Sequence, residues 1–421
     1  MLSKKGCAGK AVSVARAITA AACSLFLIAA DRLPDRTSCR VDDYLYEVDT
    51  SGIPVAEGGS GGASSSASQS ADTKSIAKLS AHLGTVSKSL AANNATESDF
   101  LVLSGGGPWG AYGASFLRNW EATGTMPSFR VVTGVSTGAL QATYAFLGDR
   151  DSLEQMEQLY GEITNDDVYS SRRLSVALLL RSGLNKLEPL RRLLIDEIRQ
   201  NDWINRVASE RERGRSLLVG VTELNSGKLY AVDMTQIASD NSIGNRRKRR
   251  CFADMLVASA SVPVYFDPVV ARTEDRENLV LVDGGVRAGS FITGIADAMS
   301  DQMVRPETGM VVINGPLNQC QIDTSGGIPD IAGRSISVLI NQNVNNSLFR
   351  ILQGNATGDS NVEFTAVSRA FALDQMGVDL CDFPSSTTDF DPAFTGVLIE
   401  QAARRWQQSR ACAFEEGEAC N

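Results

Sequence analysis

The stretch Arg130-Val131-Val132-Thr133-Gly134-Val135-Ser136-Thr137-Gly138 decides the fold. Its first half is a short β-branched run, the composition of a buried strand. Its second half fits G-x-S-x-G, and Ala139 to Leu147 continues with helical spacing. A serine at a sharp strand-to-helix turn is lifted clear of the sheet, and glycines flank it because side chains there would collide with the turn. In a chain with 37 glycines the pentapeptide alone carries little weight. The strand before it and the helix after it supply that weight.

Upstream, Phe100-Leu-Val-Leu103 is another short apolar run, and it enters Ser104-Gly105-Gly106-Gly107-Pro108-Trp109-Gly110. Helical spacing follows from Gly110 to Trp120. Successive glycines let backbone N–H groups converge on one point, and the helix start adds its positive dipole end. Such a loop can hold a phosphate or a tetrahedral oxyanion. Gly105, Gly107 and Gly110 also satisfy G-x-G-x-x-G, so a dinucleotide loop is a rival reading, as is a purely structural turn. The dinucleotide reading requires an acidic residue about 20 positions on, at the end of the next strand. Here that strand ends at Thr133-Gly134. Further strands are predicted at Ser216–Thr222, Lys228–Val232, Leu279–Val282 and Met310–Ile313, with charged helical stretches such as Leu187–Arg199 between them. This alternation predicts a three-layer α/β/α fold with a mostly parallel central sheet.

Asp283-Gly284-Gly285 follows the run Leu279-Val-Leu-Val282. An aspartate at the end of a strand, freed by two glycines, is placed to meet a serine on a neighbouring strand; a plain Asp-Gly turn is the alternative. The chain has one histidine, His82, and none follows Ser136. Histidine-based zinc clusters and Ser-His-Asp triads are thereby excluded, and no metal or cofactor is expected. If Ser136 is a nucleophile, a carboxylate is the available class of base.

The totals agree with an ordinary globular protein: 43% hydrophobic and 21% charged residues over 421 positions, enough for one large domain or two modest ones. The net charge of −9 argues against a nucleic-acid partner. At the N-terminus, Lys4, Lys5, Lys10 and Arg16 precede an apolar run from Ala17 to Ala30. That run is shorter than the ~20 residues a spanning helix needs, so residues 1–30 read as an export signal or anchor and the protein as extracytoplasmic. Lipidation at Cys23 fits less well, since apolar residues continue through Leu25-Phe26-Leu27-Ile28. Export permits disulfides among Cys39, Cys251, Cys320, Cys381, Cys412 and Cys420, with Cys412 and Cys420 closing the shortest loop; buried thiols are the alternative. Residues 31–98 read as a linker region. It contains a Gly/Ser/Ala tract from Ser51 to Thr73 and a short amphipathic helix over Ile76–Leu90 that carries His82 as a solvated surface residue.

Two further stretches stand out. Ala258-Ser-Ala-Ser-Val-Pro-Val-Tyr-Phe-Asp-Pro268 reads as a helix end broken by Pro263. Arg246-Arg-Lys-Arg-Arg250 reads as a solvated loop, or as a contact for anionic lipid head groups at a membrane surface.

Taken together, the pieces resemble the patatin-like phospholipase family, whose hallmarks are a Gly-rich oxyanion motif, G-x-S-x-G and D-G-G/A in that order. Here they fall at Gly105–Gly110, Gly134–Gly138 and Asp283–Gly285, with Ala258–Pro268 similar to the family's Ala-Ser-x-x-x-Pro segment. The family often has a basic residue just before the last loop glycine, where this chain has Trp109. The resemblance implies a catalytic domain over residues 99–421 and hydrolysis of lipid acyl esters by a Ser136–Asp283 dyad. It also implies an oxyanion hole from Gly105, Gly106 and Gly107, with Gly110, Gly134, Gly138, Gly284 and Gly285 supporting the turns. A carboxylate is a weak base for a hydroxyl, so the Asp283 pKa is expected to be raised by a low-dielectric pocket. A short-chain carboxylesterase, and a membrane-associated binding protein with vestigial hydrolysis, are the alternatives.

Overall fold

Buried β-branched and leucine runs set the centre of a sheet that is covered on both faces. The computed structural model describes residues 36–48, 97–171, 183–273, 278–292, 308–324, 326–356, 361–383 and 388–414. The export signal, the Ser51–Thr73 tract, the His82 helix and the Cys412–Cys420 pairing lie outside what is described.

Ten strands form one mixed sheet. In chain order they are β1 (Arg36–Arg40), β2 (Leu45–Val48), β3 (Glu97–Leu103), β4 (Ser128–Val135) and β5 (Ser216–Glu223). There follow β6 (Lys228–Asp233), β7 (Val269–Arg272), β8 (Asn278–Asp283), β9 (Thr308–Pro316) and β10 (Asn361–Val367). The centre, β10-β9-β3-β4-β5, is parallel throughout. Alternate residues of β3 feed two cores: Leu101 and Leu103 face one side, Phe100 and Val102 the other. The first core is capped by helices that include α1 (Gly110–Ala122), α2 (Thr137–Leu147), α3 (Arg150–Glu162), α4 (Glu188–Gln200) and α5 (Asn245–Ser259). The second is covered by α6 (Ile328–Ala356) through Val344, Leu348 and Ile351. The fold is therefore α/β in three layers, as the strand–helix alternation predicts.

The sheet is mostly parallel at its centre, as expected, and one of its antiparallel pairings positions the site. β8 runs antiparallel to β5, with Asp283 opposite Val221, while β4 runs parallel to it, with Val135 opposite Gly220. β6 pairs Leu218–Glu223 of β5 along its whole length, so it occupies the other edge. β4 and β8 therefore share one edge of β5 and run toward each other, end to end. Their last residues meet beside Gly220-Val221.

Residues 36–48, read from the sequence as part of a linker region over 31–98, belong to the sheet. β1 pairs with β7, β2 pairs with β6, and Cys39 of β1 is disulfide-bonded to Cys251 of α5 across a sequence separation of 212. A second disulfide joins Cys320 to Cys381. The basic run is also corrected: Arg246–Arg250 is the opening of α5 rather than a loop, and Lys248 is buried with its ammonium donating to Ala238 O at 2.9 Å. At about 1.5 Å per residue this end of the 15-residue helix lies about 20 Å from the Ser259 end. Among the described residues no helix is long and apolar enough to cross a membrane.

The Cys39–Cys251 link ties an otherwise short edge strand to the helical layer. Replacing both cysteines by serine is expected to lower unfolding free energy by about 2–5 kcal/mol. Denaturant midpoints of wild type and variant check it, and identical midpoints would contradict the role assigned to the link.

Candidate active site

The elbow is built by close approach of backbones. A Cβ at Gly134 would lie 2.3 Å from Gly138 O, and one at Gly138 would lie 2.3 Å from Leu103 O. Neither position admits a side chain, so the end of β3 and the start of α2 close tightly around the turn. Ser136 pays the conformational cost with φ 55° and ψ −124°, a region that non-glycine residues rarely occupy and that costs about 1–3 kcal/mol. The turn is held from outside. Ser136 N–H donates to Ser259 Oγ at 3.0 Å, and the Ser259 hydroxyl donates to Gly220 O at 2.7 Å. Ser136 itself is buried.

Asp283 arrives from the opposite direction at the end of β8. Its N–H donates to Ser261 O at 3.0 Å, and its Oδ1 accepts from Gly285 N at 2.7 Å. Oδ2 makes no hydrogen bond of ordinary geometry among the described residues, and beyond Gly285 N–H the Ser136 hydroxyl is the donor that reaches this carboxyl, in a residue only 1% exposed. Burial pushes the Asp283 carboxyl up to about 7, with the Ser136 hydroxyl and the Gly285 N–H offsetting part of the rise. A Cβ at Gly284 would lie 2.6 Å from Gly220 O, which fixes this turn against the β5 edge.

The glycine loop leaves β3 beside the elbow, where a Cβ at Gly105 would stand 3.3 Å from Ser136 Cβ. One donor assignment changes here. Gly105 N–H is taken by Gly289 O at 3.0 Å, so it is not free to meet an oxyanion. Gly106 and Gly107 make no such bond among the described residues, and Gly107 turns at φ 57°. Behind the loop, Asn314 N–H donates to Ser104 Oγ at 2.9 Å, and its side-chain amide donates to Ser104 O at 2.7 Å and Gln141 Oε1 at 2.8 Å. Gln141 in turn donates to Gly110 O at 2.5 Å. Gly110 starts α1 where a Cβ would press on Thr137 Oγ1 at 2.4 Å.

Ser136 and Gly107 open on an apolar pocket of about 770 Å³, part of it open to solvent. Leu140, Met156, Leu159, Leu190, Leu194 and Phe266 are among its walls. The Ala258–Pro268 segment contributes Ala260, Val262 and Phe266 to this pocket, as well as Ser259 and Ser261 to the turns. Val264 within it sits at φ 72°, a strained conformation for a β-branched residue. Sequence reasoning missed Ser259, Asn314 and Gln141. Of these only Ser259 had a signal, its place in the Ala-Ser-x-x-x-Pro segment.

The raised pKa has a stability consequence. Asp283 holds its proton more tightly folded than unfolded, so folding is favoured below pH 4 and penalised as pH rises through the interval between 3.8 and about 7. Fully ionised, the buried carboxylate costs on the order of 4 kcal/mol. Asp283→Asn is expected to raise the melting temperature at pH 8 and to leave it nearly unchanged at pH 4. Thermal scans at the two pH values check this, and an equal shift at both would contradict it.

A family model described as patatin-like phospholipase matches residues 101–295 of the chain. Among solved structures, the crystal structure of VipD from Legionella pneumophila is similar at 14% identity and a TM-score of 0.33, over 74% of this chain and 66% of that one. Human GIVD cytosolic phospholipase A2 is similar at 11% identity and a TM-score of 0.38, over 82% of this chain and 64% of that one. The chain thus spans just under two thirds of the length of each. No curated protein sequence matches it. The matched span takes in the glycine loop, the Ser136 elbow and Asp283-Gly284-Gly285, so residues 101–295 are similar to a patatin-like phospholipase domain.

Proposed function

We propose that the protein is a lipid acyl hydrolase that cleaves carboxylic esters of phospholipids or related lipids through Ser136 and Asp283. The observation that carries this reading is the end-to-end meeting of β4 and β8, which sets a strained serine beside a buried aspartate whose carboxyl the serine hydroxyl reaches. Ionised Asp283 accepts the proton of Ser136 as its oxygen attacks the acyl carbonyl. The N–H groups of Gly106 and Gly107 hold the oxyanion, and one such donor is typically worth about 100- to 1,000-fold in rate. Collapse expels the alcohol, which takes the proton back from Asp283. Water, deprotonated by the same aspartate, then attacks the acyl-serine, and Ser136 leaves with that proton. A base near pKa 7 is well matched to this work at neutral pH, whereas an ordinary carboxylate is too weak.

The apolar pocket beside Ser136 supports a long acyl chain over a short one. An extracytoplasmic site of action is part of the same reading, supported by the two disulfides and by the apolar Ala17–Ala30 run behind its lysines and arginine. The catalytic domain is taken to begin at β1, because Arg36–Arg40 and Leu45–Val48 belong to its sheet. Contact with a membrane surface remains part of the proposal for a lipid substrate. The arginines at the start of α5 stand at the far end of that helix from Ser136, so they do not present the site to a bilayer.

Ser136→Ala and Asp283→Asn are each expected to remove ester cleavage from a folded protein, while His82→Ala leaves it intact. Loss of activity in the histidine variant would sink the dyad. In wild type, kcat/KM is expected to rise with pH and level off above about 7, falling about 100-fold by pH 5 as Asp283 protonates. A profile flat across that range contradicts Asp283 as the base. A chain-length series, with and without vesicles, separates a lipid hydrolase from an esterase of short soluble esters.

A further inference from the structure

A helix that covers one face of a sheet ordinarily turns charged residues to water. α6 does not. From Ile331 to Phe349 its exposed positions are Ile331, Ser335, Val338, Leu339, Gln342, Asn346 and Phe349, and none is charged. They recur every three or four residues and so form one stripe, which Ile328, 84% exposed, begins. Val344, Leu348 and Ile351 lie on the other side of the helix and enter the second core. Of the nine large hydrophobic side chains exposed among the described residues, five stand on this stripe. Two more flank it. Leu317 O accepts from Asn345 of α6 at 2.9 Å, and Phe364 lines a surface hollow together with Leu317. Single exposed apolar residues are ordinary, whereas seven gathered on one side mark an interaction surface.

The order of residues along the stripe points to what covers it. Counted outward from the Val338–Leu339 step, Ser335 and Gln342 are equally far from the middle, as are Ile331 and Asn346, and Ile328 and Phe349. Two copies of α6 laid antiparallel about a two-fold axis at that step bring Val338 of one against Leu339 of the other. Ser335 then faces Gln342 of the second copy, and Ile328 faces Phe349. Apolar residues thus meet at the centre and at both ends, and a hydroxyl meets an amide between them. A lipid surface offers no such match, because acyl chains leave the polar groups of Ser335, Gln342 and Asn346 without partners. The area agrees as well. The seven apolar side chains expose on the order of 800 Å², about what each partner of a standard interface buries.

We propose that the protein is a homodimer joined along the exposed face of α6, with the two-fold axis at the Val338–Leu339 step. The contact is independent of the hydrolase reading, since none of its residues lines the Ser136 pocket. It bears on the site through the helix itself. Asn343 donates to Gly285 O at 3.0 Å and to Val286 O at 2.9 Å, so the helix that meets the second copy also clamps the turn after Asp283. The second copy braces that clamp.

Sedimentation equilibrium of the full chain at micromolar concentration is expected to give twice the chain mass. Leu339→Glu places like charges beside the axis at a position exposed in the single chain, and it is expected to halve that mass with an unchanged circular-dichroism spectrum. A wild type of single mass, or a Leu339→Glu variant that keeps the double mass, overturns the proposal. The register is read by cross-linking. Ser335→Cys combined with Gln342→Cys is expected to give, on mild oxidation, a covalent dimer that reductant separates, whereas Ser335→Cys alone does not. No cross-link in the double variant, or an equal one in the single, contradicts the antiparallel seam. Zwitterionic vesicles test the other occupant. A monomeric wild type that sediments with them, through a contact that Leu339→Glu abolishes, makes the face a bilayer contact and overturns the homodimer.

Discussion

The junction on the edge of β5 is the constraint from which the rest of the site follows. A parallel sheet leaves neighbouring strand ends side by side, each feeding its own loop. Here β4 stops at Val135, opposite Gly220, and β8 comes to meet it from the other direction, stopping at Asp283 opposite Val221. Two strands that share an edge must both end where they meet, and both chains must leave the sheet there in tight turns. That requirement explains why the two turns are glycine-lined, since Gly134, Gly138 and Gly284 each stand where a Cβ would overlap a backbone atom. It also explains the burial of Asp283. The aspartate lies at the junction itself, paired with Val221 and bonded through its N–H to Ser261 O, and burial holds its proton far more tightly than in water.

The polar atoms around the junction are tied to one another with few left over. Ser259 joins the Ser136 N–H to Gly220 O, and Ser261 O takes the Asp283 N–H. Ser104, Asn314 and Gln141 hold the glycine loop from behind. Such networks fix geometry because each unpaired member would be left buried without a partner. Positive φ at Ser136 and a carboxyl buried away from water are stored costs, and stability of this kind is commonly surrendered at sites that do chemistry.

Much of this was legible in the sequence, for a physical reason. Backbone close approach can be met only by glycine, so G-x-S-x-G, Gly105–Gly107 and Asp283-Gly284-Gly285 leave a trace that reads directly. The central strands were equally legible, because Phe100–Leu103 and Arg130–Thr133 are short buried runs bounded by turns. What escaped lies in long-range pairing. The direction of β8 depends on which edge it joins, and nothing in Leu279–Val282 encodes that. β1, with the sequence RTSCR, has no apolar alternation and is held by β7 and by Cys251, both far along the chain. The basic run was misread because Arg246–Arg250 shows no apolar face until Cys251 and Phe252 enter the core. α6 was missed because it is apolar on more than one side, with Ile328, Ile331 and Leu339 exposed while Val344 and Leu348 are buried.

On the proposed reading, the junction makes Asp283 a base poised near neutrality. Infrared difference spectra across a pH titration observe it directly, with the protonated carboxyl band of Asp283 assigned by its loss in Asp283→Asn. This band is expected to disappear with a midpoint near pH 7. A midpoint near the ordinary carboxylate value of 3.8 would contradict it.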